Sequence, residues 1–407
     1  MTKFKVKVYQ FLVIENWDLF GICLLFIGIS LSAGCSTSLY IKEDIEQSVP
    51  PPDESDILQR VLLIGDAGEP SPDLREPILK AMENQASLLP QKTINIFLGD
   101  NIYPYGFDES IEDKVECERR LTEQVKVMES SNTPGIFIPG NHDWGNGEGD
   151  GWKKIKAQGD FISKFGNPGI QVLPEKGCPG PKYLDLGKDL RIIFLDTQWW
   201  LQDEKSKPLP GNCDCNPVTE DGIVNSLDSL IKSAGDKFIV VAGHHPIDTY
   251  GPHGGYFDWK AHIFPLTEFN KYLWVPLPII GSIYPLSRSL GISSQDISSS
   301  SYKNMKDKLE EVISKHSIHH QRIIYVSGHE HSLQVIKGKG DNLYLVSGYG
   351  TAVHANSLSY GDKSLFSALY PGFMQLDILS PDKVRLGVFI VNPETGYSEE
   401  IFSMWVQ

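Results

Sequence analysis

Seven short apolar runs punctuate this chain: RVLLIGD, INIFLGD, GIFIPGN, LRIIFLD, FIVVAGH, RIIYVSGH and NLYLVSG. Each is rich in β-branched residues and none alternates with polar ones. Such runs read as strands buried on both faces, which calls for a layered α/β architecture with helices covering the sheets. Helical patterns do lie between them. SIEDKVECERRLTEQVKVMESS opens with a capping-box pattern at Ser110 and Asp113, and TEDGIVNSLDSLIKSAG closes on Gly235. With 407 residues, 41% of them hydrophobic, there is ample material for a large core.

The strand ends are more informative than the strands. Five of the runs end in a glycine turn that carries metal-ligand residue types: GDAG at Gly65–Gly68, GDNIY at Gly99–Tyr103, GNHDW at Gly140–Trp144, GHHP at Gly243–Pro246 and GHEH at Gly328–His331. A Gly-Asp or a lone His at a strand end is ordinarily a turn or a surface residue. Five such clusters in one chain are a pattern, because the carboxyl ends of strands in an α/β sheet converge on one crevice. His329 and His331 sit at i and i+2, so in extended backbone both imidazoles face the same way.

In this order the clusters resemble the GDxx, GDxx, GNHD, GHxx and GHxH pattern of the calcineurin-like metallophosphoesterases. GDNIY and GHEHSLQ are similar to the tyrosine-bearing second motif and the last motif of the purple acid phosphatase branch, and the resemblance runs over residues 59–355. It implies a layered β-sandwich of mixed sheets flanked by helices, with the site at the carboxyl ends of strands. It also implies two metal ions, one held by Asp66, Asp100, Tyr103 and His331, the other by Asp100, Asn141, His244 and His329, with Asp100 shared. His142 falls where the family has a supporting or substrate-contacting residue. His253, nine residues after His244, falls at a further active-site histidine, and His245 stands where several members have tyrosine.

Those residue types suit phosphate ester hydrolysis. A dinuclear centre lowers the pKa of a bound water, clamps phosphate oxygens and places the resulting hydroxide in line with phosphorus. A free tyrosine titrates near 10, so binding Tyr103 as the phenolate asks for a hard, highly charged cation, and ferric iron meets that demand better than zinc. An amide, two imidazoles and a shared carboxylate suit a divalent ion such as iron, zinc or manganese. His142 and His253 are the candidates to bind phosphate and protonate the leaving group. The leading expectation is a phosphomonoesterase acting on a phosphorylated small molecule. The alternatives are a phosphodiesterase or nucleotide hydrolase on the same scaffold, or an envelope-binding module that keeps the fold without the chemistry.

The rest of the chain bears on location. Lys3, Lys5 and Lys7 precede LFGICLLFIGISLSAG, Leu19 to Gly34, an apolar run short for a membrane span and ending in small residues. Residues 1–34 therefore read as an export segment. Cys35 follows, and LSAGC resembles the lipobox of bacterial lipoproteins, which implies a lipid-anchored protein of the bacterial cell envelope, in the periplasm or on the outer membrane. An uncleaved N-terminal anchor and a secreted protein are the alternatives. Residues 35–57, polar and proline-bearing, read as a flexible tether, and 58–407 as one domain. A net charge of −15 argues against nucleic acid as a partner.

Cys117, Cys178, Cys213 and Cys215 allow one or two disulfides in an oxidising compartment. Cys213 and Cys215 are too close to pair with each other, so each is expected to seek Cys178 or Cys117. The stretch 269–300, rich in Trp, Pro and Ile, reads as an insertion too broken by proline for a helix. It either packs on its own domain or forms an apolar flap touching a bilayer or covering the site. His262, His316, His319 and His320 read as solvated, and His354, after the last strand, as an ordinary loop residue, with a place on the rim as the alternative.

Overall fold

The computed structural model describes residues 38–43, 48–73, 75–147, 149–268, 272–317, 322–351 and 357–406. Among these, fifteen strands run in chain order: β1 (Leu39–Ile41), β2 (Gln59–Ile64), β3 (Thr93–Phe97), β4 (Gly135–Phe137), β5 (Ile170–Val172), β6 (Lys182–Leu186), β7 (Leu190–Phe194), β8 (Phe238–Ala242), β9 (Ile323–Ser327), β10 (Leu333–Lys337), β11 (Leu343–Ser347), β12 (Ser364–Ala368), β13 (Gly372–Ser380), β14 (Lys383–Val391) and β15 (Ser398–Trp405). They form two mixed sheets, ordered β1-β12-β10-β11-β9-β8-β7-β6 and β15-β14-β13-β2-β3-β4-β5. All seven apolar runs are strands, and they make up the parallel centres of the two sheets: β2, β3 and β4 in one, β7, β8, β9 and β11 in the other.

Burial on both faces explains why these strands lack polar alternation. Val61 and Leu63 of β2, Val240 of β8 and Ile324 of β9 fill the space between the sheets. Their neighbours one residue along point the other way. Leu62 and Ile64 pack under helices Pro77–Leu88 and Ile111–Ser131, and Val241 and Tyr325 under helices Glu220–Lys232 and Ser300–His316. The result is the expected sandwich of mixed sheets flanked by helices. At its site end the sheets are tied together by Gly65 N–H donating to the Ser347 carbonyl at 2.7 Å and Gly350 N–H to the Gly65 carbonyl at 3.0 Å.

Several expectations need correction. Ser110 is the N-cap of its helix, but no capping box forms: its hydroxyl donates to Asp113 Oδ2 at 3.0 Å and makes no side-chain bond to the helix backbone. The segment 35–57 is not a free tether over its described part. β1 adds to the edge of one sheet, and the Val49 carbonyl accepts from Arg385 and Ser403. The insertion does contain a helix, Ile283–Ser289, with Pro285 in its first turn, where the missing N–H costs nothing. His262 is fully buried, with Nδ1 3.1 Å from the Ser282 hydroxyl, because the insertion folds back over it. His316 pairs with Asp228 at 2.9 Å. The expected export segment 1–34, Cys35, His319, His320 and His354 lie outside the described residues, among which no helix is long and apolar enough to cross a membrane.

Cys215 pairs with Cys178, while Cys117 and Cys213 are free thiols. The cross-link closes a loop 37 residues long in sequence. Cys178→Ser is expected to lower the unfolding free energy by about 2–4 kcal/mol, read by urea titration. Wild-type protein in reductant should fall to the variant's value.

Candidate metal centre

The ends of β2, β3, β4, β8 and β9 meet where the two sheets are tied. Asp66 follows β2, Asp100 and Tyr103 follow β3, Asn141 and His142 follow β4, His244 follows β8, and His329 and His331 follow β9. Three of them, Asp66, Asp100 and His329, have positive φ of 58°, 54° and 68°. Left-handed backbone at residues that are not glycine is strained, and here it turns each chain sharply enough to aim the side chain across the end of the sandwich. Two glycines of these turns, Gly140 before Asn141 and Gly328 before His329, are required for space: a Cβ on Gly140 would collide with Asp100 Oδ1, and one on Gly328 with Asp66 Oδ2.

The side chains form two adjoining groups. In the first, the Tyr103 hydroxyl lies 3.0 Å from Asp66 Oδ1, 3.2 Å from Asp100 Oδ2 and 3.1 Å from His331 Nε2. His331 Nε2 is itself 3.4 Å from Asp66 Oδ1. One phenolic proton cannot serve both carboxylates. In the second, His244 Nε2 and His329 Nδ1 stand 3.1 and 3.0 Å from Asn141 Oδ1, and Asp100 Oδ1 is 3.4 Å from His244 Nε2.

Hydrogen bonds on the far side of each ring fix what these nitrogens present. His244 Nδ1 is 2.8 Å from the Leu98 carbonyl and His329 Nε2 is 2.9 Å from the Gln295 carbonyl. A carbonyl only accepts, so in the neutral, ligating rings both N–H groups point there and both lone pairs point at the Asn141 oxygen. Asn141 Nδ2 donates to Asn146 Oδ1 at 3.3 Å, which orients the amide with its oxygen inward. Three acceptors and a carboxylate facing one another require positive charge between them. That is the donor set of a metal site, and the nitrogen and oxygen ligands suit a borderline divalent ion, as the phenol and two carboxylates suit a harder one.

The profile of the family described as "Calcineurin-like phosphoesterase" matches residues 59–333. The chain belongs to that family. A curated relative, Purple acid phosphatase 3 of Arabidopsis thaliana, is 22% identical over 186 residues, covering 43% of this chain and 45% of its own, so the match spans less than half of that relative's length. Among solved structures, the purple acid phosphatase from yellow lupin (Lupinus luteus) seeds shares the fold, with a TM-score of 0.50 and 13% identity over 85% of this chain and 53% of that one. GAP50, the anchor in the inner membrane complex of Plasmodium, aligns at a TM-score of 0.46 and 20% identity over 84% and 88%.

In this member of the family the nine residues singled out from the sequence all come together, seven in the two groups and two beside them. His142 donates its backbone N–H to Asp100 Oδ1 at 2.9 Å, its Nδ1 is 2.6 Å from the Pro104 carbonyl, and its ring lies against Tyr103. His253 packs its ring against His329 with centroids 3.9 Å apart, and its Nδ1 is 3.0 Å from the Gln295 carbonyl and 3.1 Å from Asp296 Oδ1. Both keep about a fifth of their side chains exposed, at the mouth. His245 is buried with both ring nitrogens occupied, by the Thr197 hydroxyl at 2.8 Å and Gln295 Oε1 at 2.9 Å, so it braces the centre from behind.

Titration follows from the crowding. Burial, then the charges of Asp66 and Asp100, push the Tyr103 phenol well above its ordinary value, so its proton leaves only when a cation compensates. Burial and the three neighbouring histidines push His329 well down, which keeps it in the neutral, ligating form. On His244 burial works downward, but Asp100 outweighs it and carries the ring up to about 9, so without a cation in the centre the ring holds a proton on Nε2 that a bound metal displaces. On Asp100 burial works upward, and His244 with His142 outweigh it and hold the carboxyl ionised.

Four further contributors carry no clear mark in the sequence. Asp143 accepts from the backbone N–H groups of Gly140, Asn101 and Ile102 and from the Asn101 amide at 2.8 to 3.1 Å, locking the GDNIY and GNHDW loops together. Its place inside GNHDW is the available signal. Gln295, Asp296 and Arg288 come from the insertion, where nothing in a serine-rich stretch marks them. Gly140→Ala is expected to lose bound metal and hydrolysis together, measured as metal per chain and turnover. Gly159→Ala, in a helix with open space at the Cβ position, should leave both intact and raise stability by up to about 1 kcal/mol.

Proposed function

We propose that this phosphoesterase hydrolyses phosphate monoesters at a dinuclear centre, with a ferric ion held by Asp66, Asp100, Tyr103 and His331 and a divalent ion, iron, zinc or manganese, held by Asp100, Asn141, His244 and His329. The observation that carries it is the Tyr103 hydroxyl, set within 3.2 Å of two buried carboxylates and an imidazole. As a bystander, a phenol there would be a poor choice, since its single proton satisfies one carboxylate of two. As a phenolate it supplies the charge that a trivalent ion needs. The relative named as a purple acid phosphatase supports the same reading.

When bound, the two ions supply an acidified water and a clamp for phosphate oxygens. The remaining work falls to the chain. Asp296 Oδ1 and the Gln295 carbonyl hold His253 through Nδ1, which leaves Nε2 to hand a proton to the departing alkoxide. The Pro104 carbonyl holds His142 in the same way, leaving its Nε2 for a phosphate oxygen. The apolar run Leu19–Gly34 and the LSAGC sequence support a place in a bacterial cell envelope, through a lipid on Cys35 or the uncleaved segment, where the substrate is a phosphorylated small molecule.

Purified protein is expected to hold two metal ions per chain, to absorb visible light through phenolate-to-iron charge transfer, and to hydrolyse an aryl phosphate faster than a bis-aryl phosphate. Tyr103→Phe should be colourless, and His253→Ala should lower kcat by roughly 10²–10⁴-fold with little change in metal content. A colourless native protein would refute the ferric site, and a preference for the diester would replace monoesterase by phosphodiesterase.

A further inference from the structure

The stretch from Tyr272 to Ile292 supplies half of the large apolar side chains that the described residues leave exposed. They form a surface. The Leu277 N–H donates to the Ile263 carbonyl at 2.7 Å and the Gly281 N–H to the Leu277 carbonyl at 2.6 Å, folding the segment back on helix Trp259–Ile263. Ile280, Ile283, Leu286 and Leu290 then recur at helical spacing as one outward stripe, 41 to 77% exposed. The opposite side faces the protein: Pro285 is buried and Arg288 pairs with Asp296. Amphipathic surface helices normally turn the apolar side in; this one turns it out.

Arg288 is also the sole charged residue between Tyr272 and Ile292, and it is spent on Asp296. A surface of this size without charge lacks the polar rim of a protein interface. It does have the composition of an interfacial membrane element, Tyr272 and Trp274 beside bare isoleucine and leucine.

Chain geometry supplies the occupant. Leu39 of β1 pairs with Ala368, which pairs with Leu333, two residues past His331. Ser38 therefore lies at the same end of its sheet as the metal centre, the end from which the insertion also springs after β8. Cys35 is three peptide steps from Ser38, a reach of at most about 11 Å, and the apolar run Leu19–Gly34 directly precedes it.

We propose that the outer face of the insertion docks on the lipid bilayer, with Tyr272 and Trp274 at the headgroups and Ile280, Ile283 and Leu290 among the acyl chains, so that the mouth of the centre is held over the membrane. This rests on the envelope location proposed above. Attachment is apolar, so it does not need anionic lipid and does not weaken with salt.

The test uses the full chain reconstituted in vesicles of brominated phosphatidylcholine, reading tryptophan quenching. Wild-type emission should be quenched, and Trp274→Phe should remove a distinct part of the quenched signal, while any contribution from Trp17 is common to both proteins. Ile280→Ser/Ile283→Ser should remove the same part and keep aryl phosphate hydrolysis within about twofold of wild type. Equal quenching in wild type and Trp274→Phe would overturn the proposal. So would concentration-dependent self-association that Ile280→Ser/Ile283→Ser abolishes, which assigns the face to a second copy. Absent hydrolysis with Trp274 quenching intact would count against the reaction and leave the docking face standing.

Discussion

Asn141 Oδ1 has a ring nitrogen of His244 on one side and of His329 on the other, with Asp66 and Asp100 buried close by. No arrangement of apolar side chains would bring these groups together, since each loses its water and the two carboxylates lie close to one another. Removing an ionised carboxylate from water costs several kcal/mol even after relaxation. The rest of the architecture offsets this. The backbone N–H of His329 donates to Asp66 Oδ2 and that of His142 to Asp100 Oδ1, so each carboxylate is partly solvated by the loop that carries another ligand. Behind them, each fully buried Val, Leu or Ile of the sandwich contributes about 1.5–3 kcal/mol.

The same repulsion accounts for the strained backbone. Positive φ at Asp66, Asp100 and His329 costs roughly 1–3 kcal/mol per residue and persists because the strand before each of them is anchored in a parallel ladder. Strand ends are the natural place to hold such strain. The ladder stops there, and the chain has a rigid support on one side and freedom to turn on the other.

How much of this is legible in the sequence depends on the range of the interactions. The buried strands and their ligand clusters are legible because each is a local pattern: an apolar run, a glycine, a ligand type. All seven ligand candidates and both mouth histidines meet where those patterns place them. The helix in the insertion is hidden because Pro285 reads as a breaker, although in the first turn of Ile283–Ser289 it removes no hydrogen bond. Gln295 is invisible for a different reason. Its carbonyl orients His329 and His253, and a backbone carbonyl carries no residue-specific signal. Likewise β1 is three residues whose pairing with β12 spans most of the chain, and His262 is buried by residues that arrive later.

Asp143 gives the mouth of the centre an asymmetry. Its carboxylate fastens the loops after β3 and β4 into one piece, so a change that suits either loop alone must also fit the other. The described part of the opposite rim between Gly251 and Ile297 reaches the centre through His253, Gln295 and Asp296, none of which Asp143 touches. The two sides therefore differ in how freely they can change: the loops after β3 and β4 must change together, whereas the insertion can change around Gln295 and Asp296 without disturbing them.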